Sequence, residues 1–366
     1  MRTRILITTL IIITCLSVKA NDGAYRSRGS IIYPINETKI SLENEILSFT
    51  VNERMAQVNV YFEFYNPEQT DRKILIGFQA PIPSGDAHPQ FSGMNLISSF
   101  KVFKDGALIP YNIKAAGCEN CELQDTSALK LSADGTYHGV FVYLFEVTFK
   151  PGKNIINHSY DFPASDNVTY GQIYRYILKT GSKWAGGSIK DFTLQIDMGK
   201  NSYFYVNDIF PKLADWTIVG TGKVTDLFFN AYNYPNRMIR ILSGKLEVSC
   251  KDFRPTENLD FGVILGYSFI NFLLDKSRVS EDVYRSIMWL TTNFKYKPIT
   301  SWTKEDLLIL RNAVYAQYGY QFKNKDLLKY FSQFEWYIPD PNLTLDKIVL
   351  TDKEKKFIDE IVEKSK

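Results

Sequence analysis

Cys118-Glu119-Asn120-Cys121 is a pair of thiols at CxxC spacing, which could close a disulfide, hold a metal or cycle electrons. A redox dithiol wants its first cysteine at a helix N-terminus, where the positive end of the helix stabilises thiolate. Gly117 precedes this pair, and its surroundings read as a loop between strands. A zinc site would need two more ligands at matched spacing, and only Cys250 and scattered histidines remain. The favoured reading is therefore a structural disulfide, within the loop or from one of the pair to Cys250. With Cys15 removed by processing, Cys118, Cys121 and Cys250 leave one thiol over.

A second constellation lies near the C-terminus. Arg311, Tyr315 and Tyr318 are spaced i, i+4, i+7, which places them on one stripe of a helix. With Trp336 and Tyr337 they could wall a groove that has a cationic end, suited to stacking on a sugar ring or pairing with a carboxylate. The competing reading is that Tyr315, Phe322, Phe331 and Trp336 are the core of a domain too small to have another. The three histidines are isolated: His88 before Pro89, His138 opening a strand, His158 after Asn157. Each reads as a solvated loop residue. No HExxH, phosphate-cradling glycine loop or nucleophile elbow is present, and neither a cofactor nor a metal is expected.

These residues need elements to position them, and the ends of the chain are read first. Arg2 and Arg4 precede an apolar run from Ile5 to Thr14, followed by Val18-Lys19-Ala20. That is the pattern of a signal peptide cut after Ala20. The run is too short for a stable membrane span. Cys15 lies in a poor context for lipid attachment, between Thr14 and Leu16-Ser17. Loss of residues 1–20 removes Arg2, Arg4 and Lys19, so 43 basic residues become 40 against 40 acidic ones. A neutral exported chain lacks the cationic footprint that nucleic acid binding requires. Four Asn-X-Ser/Thr sequons, beginning at Asn36, Asn157, Asn167 and Asn342, would matter only in a glycosylating host.

From about Gly29 to Phe269 the sequence reads as strands. Between Arg54 and Tyr65, Ala56, Val58, Val60, Phe62 and Phe64 alternate with polar or amphipathic residues, the mark of a half-buried strand. Asn66-Pro67-Glu68 ends it. Asp105-Gly106 predicts a hairpin between Lys101–Lys104 and Leu108–Lys114. Val140–Phe149, closed by Pro151-Gly152, is expected to pair with Asn154–Tyr160. Later candidates are Asp191–Met198, Lys223–Asn230, Met238–Leu242, Leu246–Cys250 and Gly262–Phe269, with Phe261–Leu274 as a buried strand running into a helix. Strands at this spacing predict antiparallel, sandwich-like sheets. From about residue 275 the period becomes helical. Ser280 caps a predicted helix toward Leu290, Thr303 opens one that Gly319 closes, and Thr351–Glu354 is a capping box.

The expected organisation is a signal peptide at 1–20 and a mainly β, sandwich-like region at 21–270, with a further subdivision near 160–185. A connecting helix at 271–295 and a small mainly α domain at 296–366 follow. The last part resembles the YARHG domain, through Arg311–Phe322, Tyr330-Phe331 and Trp336-Tyr337. The family's naming motif stands here as Tyr315-Ala316-Gln317-Tyr318-Gly319, with Gln317 in place of Arg and Tyr318 in place of His. That resemblance implies an exported bacterial protein and no assigned chemistry. The β part is similar to an uncharacterised family of bacterial exported proteins, through Trp184–Leu194 and the early strand at Ala56–Phe64. The resulting expectation is a non-enzymatic protein of the secreted or periplasmic envelope that binds glycan, peptidoglycan or a protein partner. The alternative is an envelope hydrolase or a thiol oxidoreductase built on Cys118 and Cys121.

Overall fold

A computed structural model describes residues 22–28, 31–35, 39–79, 97–116, 123–126, 140–165, 170–227, 236–264, 303–334 and 336–366. Strands are numbered along the chain. The smaller sheet runs in the order β2 (Ile31–Ile35), β1 (Asp22–Arg28), β5 (Arg72–Gln79), β10 (Val140–Phe149), β8 (Asn112–Ala116) and β9 (Gln124–Asp125). The larger sheet begins with β12 (Tyr170–Tyr176), β17 (Leu259–Ile264), β14 (Ser202–Asn207), β16 (Asn236–Phe253) and β13 (Ala185–Asp197). It continues through β3 (Ser41–Asn52), β4 (Met55–Asn66), β11 (Gly152–Pro163), β6 (Ser98–Lys104) and β7 (Ala107–Leu108). β15 (Asp215–Leu227) lies along β16. The expected mainly β region is present, with one departure from an all-antiparallel plan: β3 and β13 pair in parallel.

The alternation read in β4 sets the inner face. Ala56, Val58, Val60, Phe62 and Phe64 are each no more than 2% exposed. Burying each large side chain of this kind contributes roughly 1.5–3 kcal/mol. The two sheets meet ring to ring: Phe78 of β5 stacks on Phe100 of β6 at 5.4 Å, and Phe149 of β10 meets Phe64 edge-on at 5.4 Å. Asn66, buried at the end of β4, joins the sheets through hydrogen bonds from its Nδ2 to the carbonyls of Phe149 and Thr70. His158 is a correction. It lies in the core on β11, with ring centroids of Phe62, Phe78 and Phe100 at 5.3, 5.0 and 5.9 Å, and not on a solvated loop.

Three strand expectations also change. β10 and β11 do not pair with each other. β10 joins β5 and β8 in the smaller sheet, while β11 joins β4 and β6 in the larger one. Pro151 thus marks a crossing between layers, because both strands carry apolar faces that each layer must bury. The Asp105-Gly106 turn forms, but its second arm is only β7. Pro110 cannot donate to a ladder, and the chain beyond it enters the smaller sheet as β8. Finally, Met238–Leu242 and Leu246–Cys250 belong to one long strand, β16. Ser243-Gly244 is not a turn; Gly244 faces Gly220 of β15 so closely that a Cβ on either would strike the opposite backbone at about 2 Å.

β16 explains where the C-terminal part sits. Ile239 and Ile241, with Phe204 and Val206 of β14, point into the main core. The alternate residues point the other way: Met238 clusters with Tyr205 and Ile173, and Tyr203 packs against both that cluster and the helical core. A strand buried on both faces reads as a continuous apolar run, as Met238–Leu242 does, apart from Arg240. The helical core comprises α1 (Lys304–Gln317), α2 (Lys325–Phe331) and α3 (Asp352–Lys364). α1 and α3 both start with full capping boxes, Thr303 with Asp306 and Thr351 with Glu354, each cap contributing about 1 kcal/mol. The predicted helices at Ser280–Leu290 and 271–295 lie outside the described residues. No helix among the described residues is long and apolar enough to cross a membrane.

Candidate functional site

α1 ends in a Schellman turn. The Tyr320 amide donates to the Tyr315 carbonyl at 3.2 Å and the Gly319 amide to the Ala316 carbonyl at 2.9 Å. This geometry places Gly319 at φ +86°, where a side chain is strained. A Cβ at Gly319 would also lie 2.8 Å from the Ile338 carbonyl oxygen and 2.9 Å from Leu242 Cδ1 of β16. The glycine is therefore demanded twice, by its own turn and by the Ile338 backbone packed against it.

The carbonyl of Gln317, at the last position of α1, accepts a hydrogen bond from Arg240 Nη2. Arg240 Nε donates to the Trp336 carbonyl at 3.1 Å, and Nη1 donates to the carbonyls of Ser202 and Ile241, both at 3.1 Å. Asn201 Oδ1 lies 3.5 Å from Nη2. Arg240 is 4% exposed, and burial pushes its pKa down to about 10, so it remains a cation at neutral pH. It forms no salt bridge with a described carboxylate. Its compensation comes from carbonyl dipoles, including the negative end of α1. Sequence reasoning missed Arg240; the signal available was a lone cation inside an apolar strand.

The expected ligand-binding residues divide. Trp336 and Tyr337 are 8% and 6% exposed and belong to the helical core, where Tyr337 donates to the Tyr320 carbonyl at 2.8 Å. Tyr318 turns its hydroxyl to Glu354 Oε2 at 2.8 Å, and burial followed by that hydrogen bond raises its pKa. The same carboxylate oxygen accepts from the Thr351 amide and hydroxyl at 2.7 and 2.9 Å. Tyr318 thereby joins the end of α1 to the start of α3. Arg311 and Tyr315 are half-buried on α1, with Leu308, three residues before Arg311, 41% exposed. Arg311 forms no hydrogen bond or ion pair with a described residue.

Cys118 and Cys121 lie outside the described residues, as do His88 and His138. Cys250 is a free, half-buried thiol packed against the main core, and burial pushes its pKa up to about 11, which disfavours thiolate. No disulfide is present among the described residues. The Trp184–Leu194 motif is structural where it is seen. Trp184 packs against Phe64 at 4.5 Å, while Gly186 and Gly187, at φ +84° and +65°, carry a bulge in the β3–β13 pairing.

Residues 286–366 match the YARHG domain, and residues 162–205 match a domain of unknown function, DUF4424. No curated protein matches the sequence. Among solved structures, the chain is similar to a candidate nutrient-binding protein from Legionella pneumophila, at 22% identity and TM-score 0.47 over 94% of this chain and 100% of that one.

Proposed function

We propose that this is an exported protein of the bacterial envelope that binds a ligand without transforming it, and that the outer strip of α1 is where it binds. The observation that carries the reading is Arg311. Trp336, Tyr337 and Tyr318 are tied into the fold, whereas half-buried Arg311 offers its fork of donors to no described acceptor. Such a group suits a carboxylate, which it can take up bidentately. Tyr315, four residues on, supplies an aromatic edge, and exposed Leu308 supplies apolar contact on the same side. Carboxylate-bearing cell-wall polymer combines those features with sugar rings. Trp336, Tyr337 and Tyr318 act behind this strip, holding the helix that presents it.

The signal-like N-terminus and the YARHG domain support export. The test is retention of the mature protein on isolated sacculi, with an inert glycan resin as control. Arg311→Ala should fold normally and lose most of the retention. Equal retention of the variant would remove the strip from the reading, and no retention of the wild type would leave a protein partner in its place.

A further inference from the structure

We propose that Gln317–Gly319 is a docking element for the chain's own β body, and that the face of β14 and β16 carrying Tyr203, Arg240 and Leu242 is its receptor. The helical module and the β body then open as one unit. Two contacts of different chemistry meet this short segment, and a third joins the same face to the helical core. Arg240 donates to the Gln317 carbonyl, an atom available only because α1 ends there. Gly319 lies against β16, where an added Cβ would come within 2.9 Å of Leu242 Cδ1. Tyr203, paired in register with Arg240, packs against the helical core.

At the end of α1 the receptor meets backbone atoms. It accepts a helix C-terminus followed by a left-handed glycine, with a cation for the exposed carbonyls. Arg240 also reaches the Trp336 carbonyl, so one guanidinium clamps two separate stretches of the module. The naming motif of the C-terminal family thus has an assignment in this chain that needs no external ligand. This inference is independent of the ligand strip on α1.

The test uses hydrogen exchange on the full mature protein, comparing α1 amides with those of β4 and β11. In the wild type, α1 should be protected nearly as well as the β body. Arg240→Ala should speed α1 exchange at least about tenfold while β4 and β11 keep their protection. Arg240→Lys, which keeps the charge and loses the fork, should fall between. Gly319→Ala approaches the junction from the module side and should produce the same selective loosening. Unchanged α1 exchange in both Arg240→Ala and Gly319→Ala would overturn the proposal. So would a rise in Arg240→Ala spread equally over β4 and β11, which would make Arg240 a general stabiliser of the sheet.

Discussion

The β body and the junction each bury a titratable side chain, and they solve the cost in opposite ways. His158 sits among the rings of Phe62, Phe78 and Phe100, and desolvation pushes its pKa down to about 3. It is kept neutral by losing its proton. Arg240 sits among carbonyl oxygens and keeps its charge at neutral pH, because the junction supplies acceptors from both of the regions that meet there. Burial in an aromatic core selects against charge, while burial at a helix end can select for it. The first arrangement belongs to one region alone. The second exists only where two regions are assembled.

The largest effect expected from this contrast is on acid stability. The folded-state pKa of His158 lies below the ordinary value near 6.5, so the unfolded chain binds the extra proton between those limits. The contribution of neutral His158 is complete above about pH 6.5 and is lost progressively as pH falls toward 3. Between pH 7 and 4 the loss should be on the order of 3 kcal/mol. Urea unfolding of the wild type and of His158→Phe at both pH values measures it. The variant should lose less stability by about that amount, and equal losses would mean that the ring cage does not exclude the imidazolium.

What was legible in the sequence follows the same division. The period-two face of β4, the Thr303 cap, the Thr351–Glu354 capping box and the Gly319 turn are local signals, since each depends on residues a few positions apart. Partnership between distant strands is not local. Val140–Phe149 and Gly152–Pro163 look like arms of one hairpin until the layers they must cover are known. Met238–Leu242 and Leu246–Cys250 read as two strands until Gly220 is seen opposite Gly244. Arg240 has no visible role until a helix more than sixty positions later ends on it. The stripe of Arg311, Tyr315 and Tyr318 was readable as a helix face, but the inward placement of Trp336 and Tyr337 depends on how three short helices pack.

Next in size comes a comparison of the two capping boxes. Thr303 caps α1 at an exposed end, through its box with Asp306. Thr351 caps α3 through Glu354, whose buried carboxylate also holds Tyr318 at the end of α1. Thr303→Ala should cost roughly 0.5–1 kcal/mol, the ordinary value of a cap. Thr351→Ala should cost roughly 1–2 kcal/mol, because it also loosens a carboxylate that links two helices. Thermal unfolding followed by helical circular dichroism separates them. Equal costs would show that the Tyr318–Glu354 bond is independent of the cap.

The smallest expected effect is the sharpest test of how the junction recognises α1. Gln317 stands where the naming motif has arginine, and its side chain makes no hydrogen bond with a described residue. Its carbonyl alone meets Arg240. Gln317→Ala leaves that oxygen in place and substitutes a better helix former, so stability should change by less than about 0.5 kcal/mol. Exchange protection of α1 should likewise match the wild type. A loss comparable to that of Gly319→Ala would mean that the receptor reads the side chain at this position, and the family's arginine there would then define a differently built junction. Neutrality would explain why this chain can depart from the motif at position 317 and still present the same helix end to Arg240.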